Sequence, residues 1–287
     1  MQPKILITGA SGTIGTHLCN RLVAEEADFT AMVRNPLKAK ALNDKGIKTT
    51  GGDLSDRNSL FEAMQGMDKL FLLSSTSPDL PGLQGKAVKA AVESGIRHIV
   101  KISVRGADIN GGFNIARYHG EAEQIVRESG IPFTFLRPHS FMQNLFFDSK
   151  TIHEKDAVYS SLGTGKIPMI DARDIADVAF TTLTQDGHEG ESWYLTGPEA
   201  ISYEDIAGEL SKGLGRKISV VNLSLEEEYN QAVKAGMPLW LAGDIKIVNR
   251  DYCQGRETKV SPDVEKIIGR KATSIDVFIK DHIDRFR

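Results

Sequence analysis

Short apolar runs alternate with amphipathic segments from the start of the chain. Runs at 4–8, 29–33, 70–73, 99–103 and 133–137 have strand length. The 70–73 run is Leu-Phe-Leu-Leu, with no polar alternation, as expected of a parallel strand covered on both faces. Between the first two runs, Ile14, Leu18 and Leu22 recur every fourth residue and would bury one helix face. Segments 87–92 and 121–127 fill later intervals in the same way. Strand, crossover helix, strand, repeated five times or more, predicts an α/β fold with a doubly wound parallel sheet.

After residue 140 the rhythm loosens. Strands are expected at 157–159 and 193–195, and a helix at 172–185. Ser202-Tyr-Glu-Asp205 opens another helix with a capping box, with Ile206, Leu210 and Leu214 inward and Gly215 available to end it. Ser224-Leu-Glu-Glu227 repeats the device. Ser261-Pro262 places an N-cap before a first-turn proline. Ile275, Phe278, Ile279, His282 and Phe286 share one side of a final segment, as core positions do. The chain therefore divides softly into a dinucleotide-binding Rossmann core at 1–140 and a mixed region at 141–287. That region would complete the sheet and form a smaller α/β part on the substrate side.

The most informative stretch is Thr8-Gly9-Ala10-Ser11-Gly12-Thr13-Ile14-Gly15, set between the first strand and the first helix. Its G-x-x-G-x-x-G spacing fits a phosphate turn. Gly9 permits a tight exit from the strand, Gly12 lets backbone approach a pyrophosphate, and Gly15 lets the helix pack close to the sheet. The first-turn N–H groups and the helix dipole would then face the phosphates. A glycine pattern alone is weak evidence, but here the strand before it and the helix after it both match. The second strand leads into Arg34 rather than an acidic residue. A carboxylate there would suit the ribose 2′-hydroxyl of NAD, whereas a guanidinium suits the 2′-phosphate of NADP. Lys38 adds a second charge one turn into the next helix. The expected cofactor is NADP(H), with NAD(H) as the lesser alternative.

Composition narrows the rest. The 287 residues are 40% hydrophobic and 25% charged with a net charge of −3, ordinary globular values that give no electrostatic reason to expect nucleic acid. Two cysteines, Cys19 and Cys253, make no disulfide framework, and neither a signal peptide nor a spanning segment is read, so a cytoplasmic protein away from membranes is expected. No Cys-x-x-Cys or His-Glu-x-x-His occurs, so no metal site is expected. Thr13 stands where a nucleophile elbow needs its closing glycine, and Gly163-Thr-Gly165-Lys166 is too short for a P-loop.

With these residues in view, the chain resembles the NmrA-like branch of atypical short-chain dehydrogenase/reductases, close to the bacterial NAD(P)H:quinone oxidoreductase and triphenylmethane reductase type. The matching pieces are the glycine loop, Val33-Arg-Asn35, Gly52-Asp53-Leu54, His119-Gly-Glu-Ala-Glu123, Leu136-Arg-Pro138 continuing to Phe141-Met-Gln-Asn144, and Gly197-Pro-Glu199. The resemblance implies that Asp53 and Leu54 hold the adenine end and that Leu73, Ser74, Ser75 and Thr76 line the ribose and pyrophosphate. It also implies that Ser103 lies near the nicotinamide, with Pro138 approaching the carboxamide through its backbone. From the residues alone, Asp53 is nearly as well explained as a turn or cap before Ser55.

Short-chain dehydrogenases usually carry Tyr-x-x-x-Lys, with a further glutamate four residues on in extended members. Setting Glu123 in that place puts His119 at the lysine position and Ile115 at the tyrosine position. Tyr118 has Ala122 four residues later and makes no such pair. His119 is read either as a ribose ligand or proton relay, or as a structural histidine bonded to Glu123. Tyr118 is read as a catalyst or as a packing aromatic. Without a phenol at 115, ordinary ketone reduction lacks its proton donor. A quinone or cationic dye asks less of the protein, because it accepts hydride directly and needs mainly to be stacked at reacting distance. Phe141 and Asn144 are the expected substrate contacts, and Met142, Phe146, Phe147 and Trp240 the candidates for an apolar wall.

The leading expectation is an NADPH-dependent reductase of a small quinone-like or conjugated acceptor. The alternative is a non-catalytic NADP(H)-binding redox sensor of the NmrA type. A sugar-nucleotide epimerase or dehydratase is disfavoured by the missing pair. A homodimer and a regulatory protein partner both stay open.

Overall fold

The computed structural model describes residues 2–287. The chain runs β1 (Ile5–Ile7), α1 (Thr13–Ala24), β2 (Phe29–Val33), α2 (Pro36–Asn43), β3 (Thr49–Gly51), α3 (Arg57–Met64), β4 (Lys69–Leu72), α4 (Leu80–Glu93), β5 (His98–Ile102), α5 (Asn114–Glu128) and β6 (Phe133–Pro138). A 3-10 helix (Met142–Asp148) follows, then α6 (Ser149–Lys155), β7 (Ala157–Ser160), α7 (Ala172–Thr184) and β8 (Ser192–Leu195). The remainder is α8 (Tyr203–Leu214), β9 (Ser219–Asn222), α9 (Leu225–Lys234), α10 (Leu239–Cys253), α11 (Asp263–Ile268), α12 (Ile275–Asp281) and a last 3-10 turn. Two compact units result. One comprises the chain up to Pro138 together with Ala172–Tyr194, and the other comprises His139–Asp171 and Leu195–Arg287.

The first unit is built on a seven-stranded sheet in the order β3-β2-β1-β4-β5-β6-β8. The five neighbouring pairs from β3 to β6 are parallel, with Ile5 opposite Phe29 on one side of β1 and opposite Lys69 on the other. The order reverses between β1 and β4, and ligands of open α/β sheets gather beyond the strands' carboxyl ends at such a switch point. Helices cover the strands, which is why β1, β2 and β5 are buried at every residue. Leu6, Leu70, Leu72, Ile99 and Phe135 from the sheet pack with Leu60, Met64, Ala87, Ala91 and Val126 from the helices. The doubly wound α/β expectation is borne out. β3 was not expected from the sequence: Thr-Thr-Gly at the sheet's edge is only partly buried and carries no apolar run.

The second unit holds the two-stranded parallel pair β7–β9 and a core of Met142, Leu145, Ile152, Val158, Met169, Leu210 and Phe278 among others. Both expected capping boxes are formed, Ser202 with Asp205 and Ser224 with Glu227, and Gly215 ends α8 in the left-handed region at φ 67°. The Ser261-Pro262 expectation needs correcting by one residue. Pro262 itself is the N-cap position of α11, while the Ser261 hydroxyl accepts from the Asp263 N–H at 3.2 Å. Ile275, Phe278, Ile279 and Phe286 are buried as expected. Among the described residues no helix is long and apolar enough to cross a membrane.

Candidate functional site

The turn after β1 is shaped by close contacts that only glycine allows. Gly9 sits at φ 66°, and a Cβ there would lie 2.8 Å from Leu73 Cγ and 2.9 Å from the Leu73 carbonyl oxygen. Its carbonyl accepts from the Gly12 N–H at 3.0 Å, closing the turn. A Cβ on Gly15 would come within 2.2 Å of the Gly9 oxygen and 2.8 Å of Ala10 Cα. At Gly15 the helix therefore comes close to the turn itself. Gly12 is exposed and forms the N-cap of α1; no side chain bonds the first-turn N–H groups, and no acidic residue stands in the first turn. The N–H groups of Thr13, Ile14 and Gly15 have no intrahelical acceptor by helix geometry. Uncapped donors, a positive dipole end and a residue without a side chain fit a pyrophosphate.

Thr8 and Leu73 contribute from behind. The buried Thr8 hydroxyl lies 3.0 Å from the Phe71 oxygen and 2.9 Å from the Leu73 oxygen, and it accepts from the Leu73 N–H at 2.8 Å. It thus ties the end of β1 to the exit of β4. Ser74 accepts from Gln84 Nε2 at 3.0 Å, while Ser75 and Thr76 are exposed beyond it.

On the neighbouring strand, Arg34 is 75% exposed, with Nη1 3.7 Å from Asp53 Oδ2. Asp53 Oδ1 accepts from both the N–H and the hydroxyl of Ser55, each at 2.8 Å. Those two bonds, and Arg34 to a lesser degree, hold its carboxyl below the usual range. Asp53 is thus the turn residue before Ser55 that its position suggested, and it also steadies the arginine; Leu54, beside it, is partly buried against the core. Lys38 Nζ lies 3.4 Å from Ser11 Oγ, bringing a second cation to the glycine turn.

The α5 region departs most from expectation. His119 is buried, but its partner is not Glu123. Nδ1 lies 3.1 Å from Nζ of Lys101, a wholly buried lysine in β5. Nε2 is buried with no hydrogen-bond partner. Glu123 instead accepts from Ser103 at 2.6 Å and from Arg137 Nε at 2.9 Å, and it is further gripped by Arg137 Nη2 and approached by Arg127 at 3.6 Å. Ser103 is therefore held by a buried carboxylate at the end of β5. The Pro138 carbonyl accepts from the Arg105 N–H at 3.1 Å. Ile115 and Tyr118 are both half-buried on the first turns of α5. The loop before α5 is pressed onto it, since a Cβ on Gly120 would lie 2.3 Å from the Asp108 carbonyl carbon.

The second unit carries the expected substrate contacts. Phe141 is half-buried and bridged to Ile170; Asn144 is exposed and donates to Ser140 Oγ at 3.3 Å. Two of the residues offered for an apolar wall are core instead. Met142 is 1% exposed, and Phe146, partly buried against the same core, stacks on Phe278 at 5.5 Å and lies tilted against Phe286 at 5.7 Å. Phe147 is 88% exposed and Trp240 half-buried.

Lys101 escaped the sequence reading although it left a signal: a single lysine inside an otherwise apolar strand, Ile99-Val-Lys101-Ile102. Such a residue is either at an edge or buried with a partner. Only the fold supplies that partner.

A switch-point turn with uncapped amides, flanked by basic residues at the end of the second strand, defines a dinucleotide-binding Rossmann protein. Residues 9–186 match the model of an NAD(P)H-binding family. The chain is 37% identical to the NAD(P)H azoreductase of Xenophilus azovorans, over 98% of this chain and 99% of that one. Its fold is similar to an NADPH-dependent quinone oxidoreductase from Escherichia coli solved with NADPH, at TM-score 0.88 and 29% identity over 98% and 99% of the two chains. It is also similar to the Citrobacter sp. triphenylmethane reductase solved with NADP(H), at TM-score 0.84 and 29% identity over 97% and 99%. The chain belongs to this NAD(P)H-binding family and is an NAD(P)H-dependent oxidoreductase. The resemblance read from the motifs is borne out.

Proposed function

We propose that this protein is an NADPH-dependent reductase that passes hydride directly to a quinone-like, azo or otherwise conjugated acceptor. The carrying observation is an intact phosphate turn in the same unit as an α5 that offers no phenol–ammonium pair. Ile115 occupies the tyrosine position, and His119 is drawn into the core by Lys101. Bound NADPH would supply the hydride, so the acceptor must be electrophilic enough to take it without a tyrosine phenol at its carbonyl. The names of the similar azoreductase, quinone oxidoreductase and dye reductase fit such acceptors.

The residues divide the work by position. The amides of Thr13, Ile14 and Gly15 bind pyrophosphate, and Ser11 lies beside them on the exposed turn. Arg34 and Lys38 favour the 2′-phosphate, because two cations near an otherwise solvated group reward the extra charge of NADP over NAD. Asp53 and Leu54 form the adenine-side turn. Ser103 and the backbone of Pro138, at the ends of β5 and β6, take the nicotinamide side. Phe141 and Asn144 are the candidates for holding the acceptor, one offering a ring and the other an exposed amide.

Rapid mixing of the NADPH-loaded protein with menadione, an azobenzene carboxylate and a triarylmethyl dye tests the reading. Oxidation of the bound nucleotide by at least one acceptor, at more than a hundredfold over the protein-free rate, is expected. Saturable NADPH binding with no turnover on any acceptor would leave the redox-sensor alternative instead.

A further inference from the structure

Among the described residues, Lys101 is the titratable group in the least ordinary setting. All five residues of β5 are buried, and the lysine side chain has no accessible surface. Nζ donates to the Ile102 oxygen at 3.0 Å and stands 3.1 Å from His119 Nδ1. Those are the two groups within hydrogen-bond reach of Nζ. A neutral amine has two N–H groups and is satisfied by them, whereas an ammonium carries a third with nowhere to go. With Nζ as the donor to Nδ1, the histidine proton is on Nε2, the buried atom that has no partner. Such an orphan calls for an explanation.

The other charged groups facing the pair are few. Glu123 on α5 pulls the amine toward its charged form, and Arg137 from β6 pushes the other way. Both are already engaged with each other and with Ser103 and Arg127. Burial outweighs both and brings the Lys101 amine down to about 7. Burial, then the lysine, keeps His119 well below the ordinary imidazole range, so its ring stays neutral. The pair lies against the last residue of β5, on the carboxyl side of the sheet where the ligand site of this fold is built.

We propose that Lys101 and His119 together are the proton source of the reaction, with Lys101 storing the proton and His119 passing it on through Nε2 in place of the absent phenol. This rests on the reductase reading above. Hydride addition to a quinone or an azo bond breaks a π bond and leaves its electron pair on oxygen or on the second nitrogen. That atom gains a new O–H or N–H bond as the His119 Nε2–H bond breaks. The Lys101 ammonium proton moves to Nδ1 and a neutral amine remains; between turnovers a proton from solvent is taken up at Nε2 and the Nδ1 proton returns to the amine, which restores the starting pair. Two electrons and a hydrogen arrive as hydride and one proton arrives from the pair, which balances hydroquinone or hydrazine. A triarylmethyl cation differs, because hydride alone neutralises it and no proton is needed.

That difference supplies the test. Lys101→Met keeps the length and removes the proton; His119→Gln keeps an N–H donor and cannot relay. Each variant should lose at least tenfold in kcat with menadione and with an azobenzene carboxylate at pH 7. Turnover of a cationic triarylmethyl dye and the Kd for NADPH should change by less than twofold. With menadione, wild-type kcat should fall above about pH 7, following the lysine, and this fall should be missing in Lys101→Met. In the protein without nucleotide, nitrogen NMR should show His119 as the Nε2–H tautomer and one lysine titrating near neutrality. Equal losses on dye and quinone, no loss on either, or a His119 carrying its proton on Nδ1 would overturn the proposal. Wild-type protein that reduces only the dye would keep the reductase reading and remove this one; protein that reduces nothing would remove both.

Discussion

Arg34, on the reading proposed above, carries cofactor specificity while adding little to stability. It is three-quarters exposed and held 3.7 Å from Asp53, a distance at which an exposed pair contributes almost nothing to folding. Its proposed worth lies in the group it would meet. A 2′-phosphate offers charged oxygens to the guanidinium fork, and a 2′-hydroxyl does not. Arg34→Ala should weaken NADPH binding by tenfold or more and NADH binding by less than threefold, with the melting temperature almost unmoved. Fluorescence titration of both nucleotides checks this, and equal losses would remove Arg34 from the 2′-phosphate. Asp53 was readable either as a nucleotide contact or as a turn residue. The structure gives it the turn with Ser55 and the steadying of Arg34 at once, so the second reading does not displace the first.

At the scale of elements, the β1 turn and α1 work as one piece. Gly15 lies inside the helix, where a glycine normally costs about 1 kcal/mol against alanine. Here the gap above it is filled by the Gly9 carbonyl, 2.2 Å from where a Cβ would stand. Gly15→Ala must push the turn away from the helix. We expect a loss of about 2 kcal/mol and NADPH binding weakened more than tenfold, because the donors move with the turn. Gly82 in α4 is the control: a Cβ there would meet nothing within 4 Å, so Gly82→Ala should leave binding unchanged and raise stability slightly. Thermal melts and nucleotide titrations of the two variants side by side separate the cases. The same piece shows what the sequence could convey about elements. The apolar runs, the glycine spacing and the Ser202 and Ser224 boxes are local signals with local causes, and they placed their elements well. β3, a Thr-Thr-Gly strand on the sheet edge, and α10, which opens without a side-chain cap, carry little local signal. Both exist because neighbours hold them.

For the molecule as a whole, buried ionisable groups make stability depend on pH. His98 in β5 is 2% exposed, with Nε2 2.9 Å from Thr134 Oγ1. Burial, and then Lys69, push it down to about 4 from an ordinary 6.5. The unfolded chain takes up this proton near 6.5 and the folded chain resists until about 4. The stability is therefore fully present above 6.5 and drains away as the pH falls toward 4. His98→Gln keeps a donor for Thr134 and does not titrate. Urea unfolding between pH 7 and 4 should show the wild type losing ~3 kcal/mol more than this variant across that window; parallel curves would mean that His98 is not held neutral. Asp148, pushed up to about 7 by burial and then by Glu228, works in the opposite sense. It stabilises the folded state most below the ordinary carboxyl range and loses that contribution as the pH rises through 7. Comparing wild type with the single variant isolates the histidine from it.

By itself the sequence determined the winding of the sheet, the dinucleotide turn and the cationic residues beside it. Each is written within a few residues, as a positive φ, an unbroken apolar run, or a charge at the end of a strand. Only the tertiary structure decided that His119 belongs to Lys101 rather than to Glu123, that Glu123 gathers Ser103 and Arg137, and that Phe146 and Met142 are core. These partners sit far apart along the chain, on different strands and helices. What sets their chemistry is removal from water, a property of the packed neighbourhood that no short stretch of sequence contains.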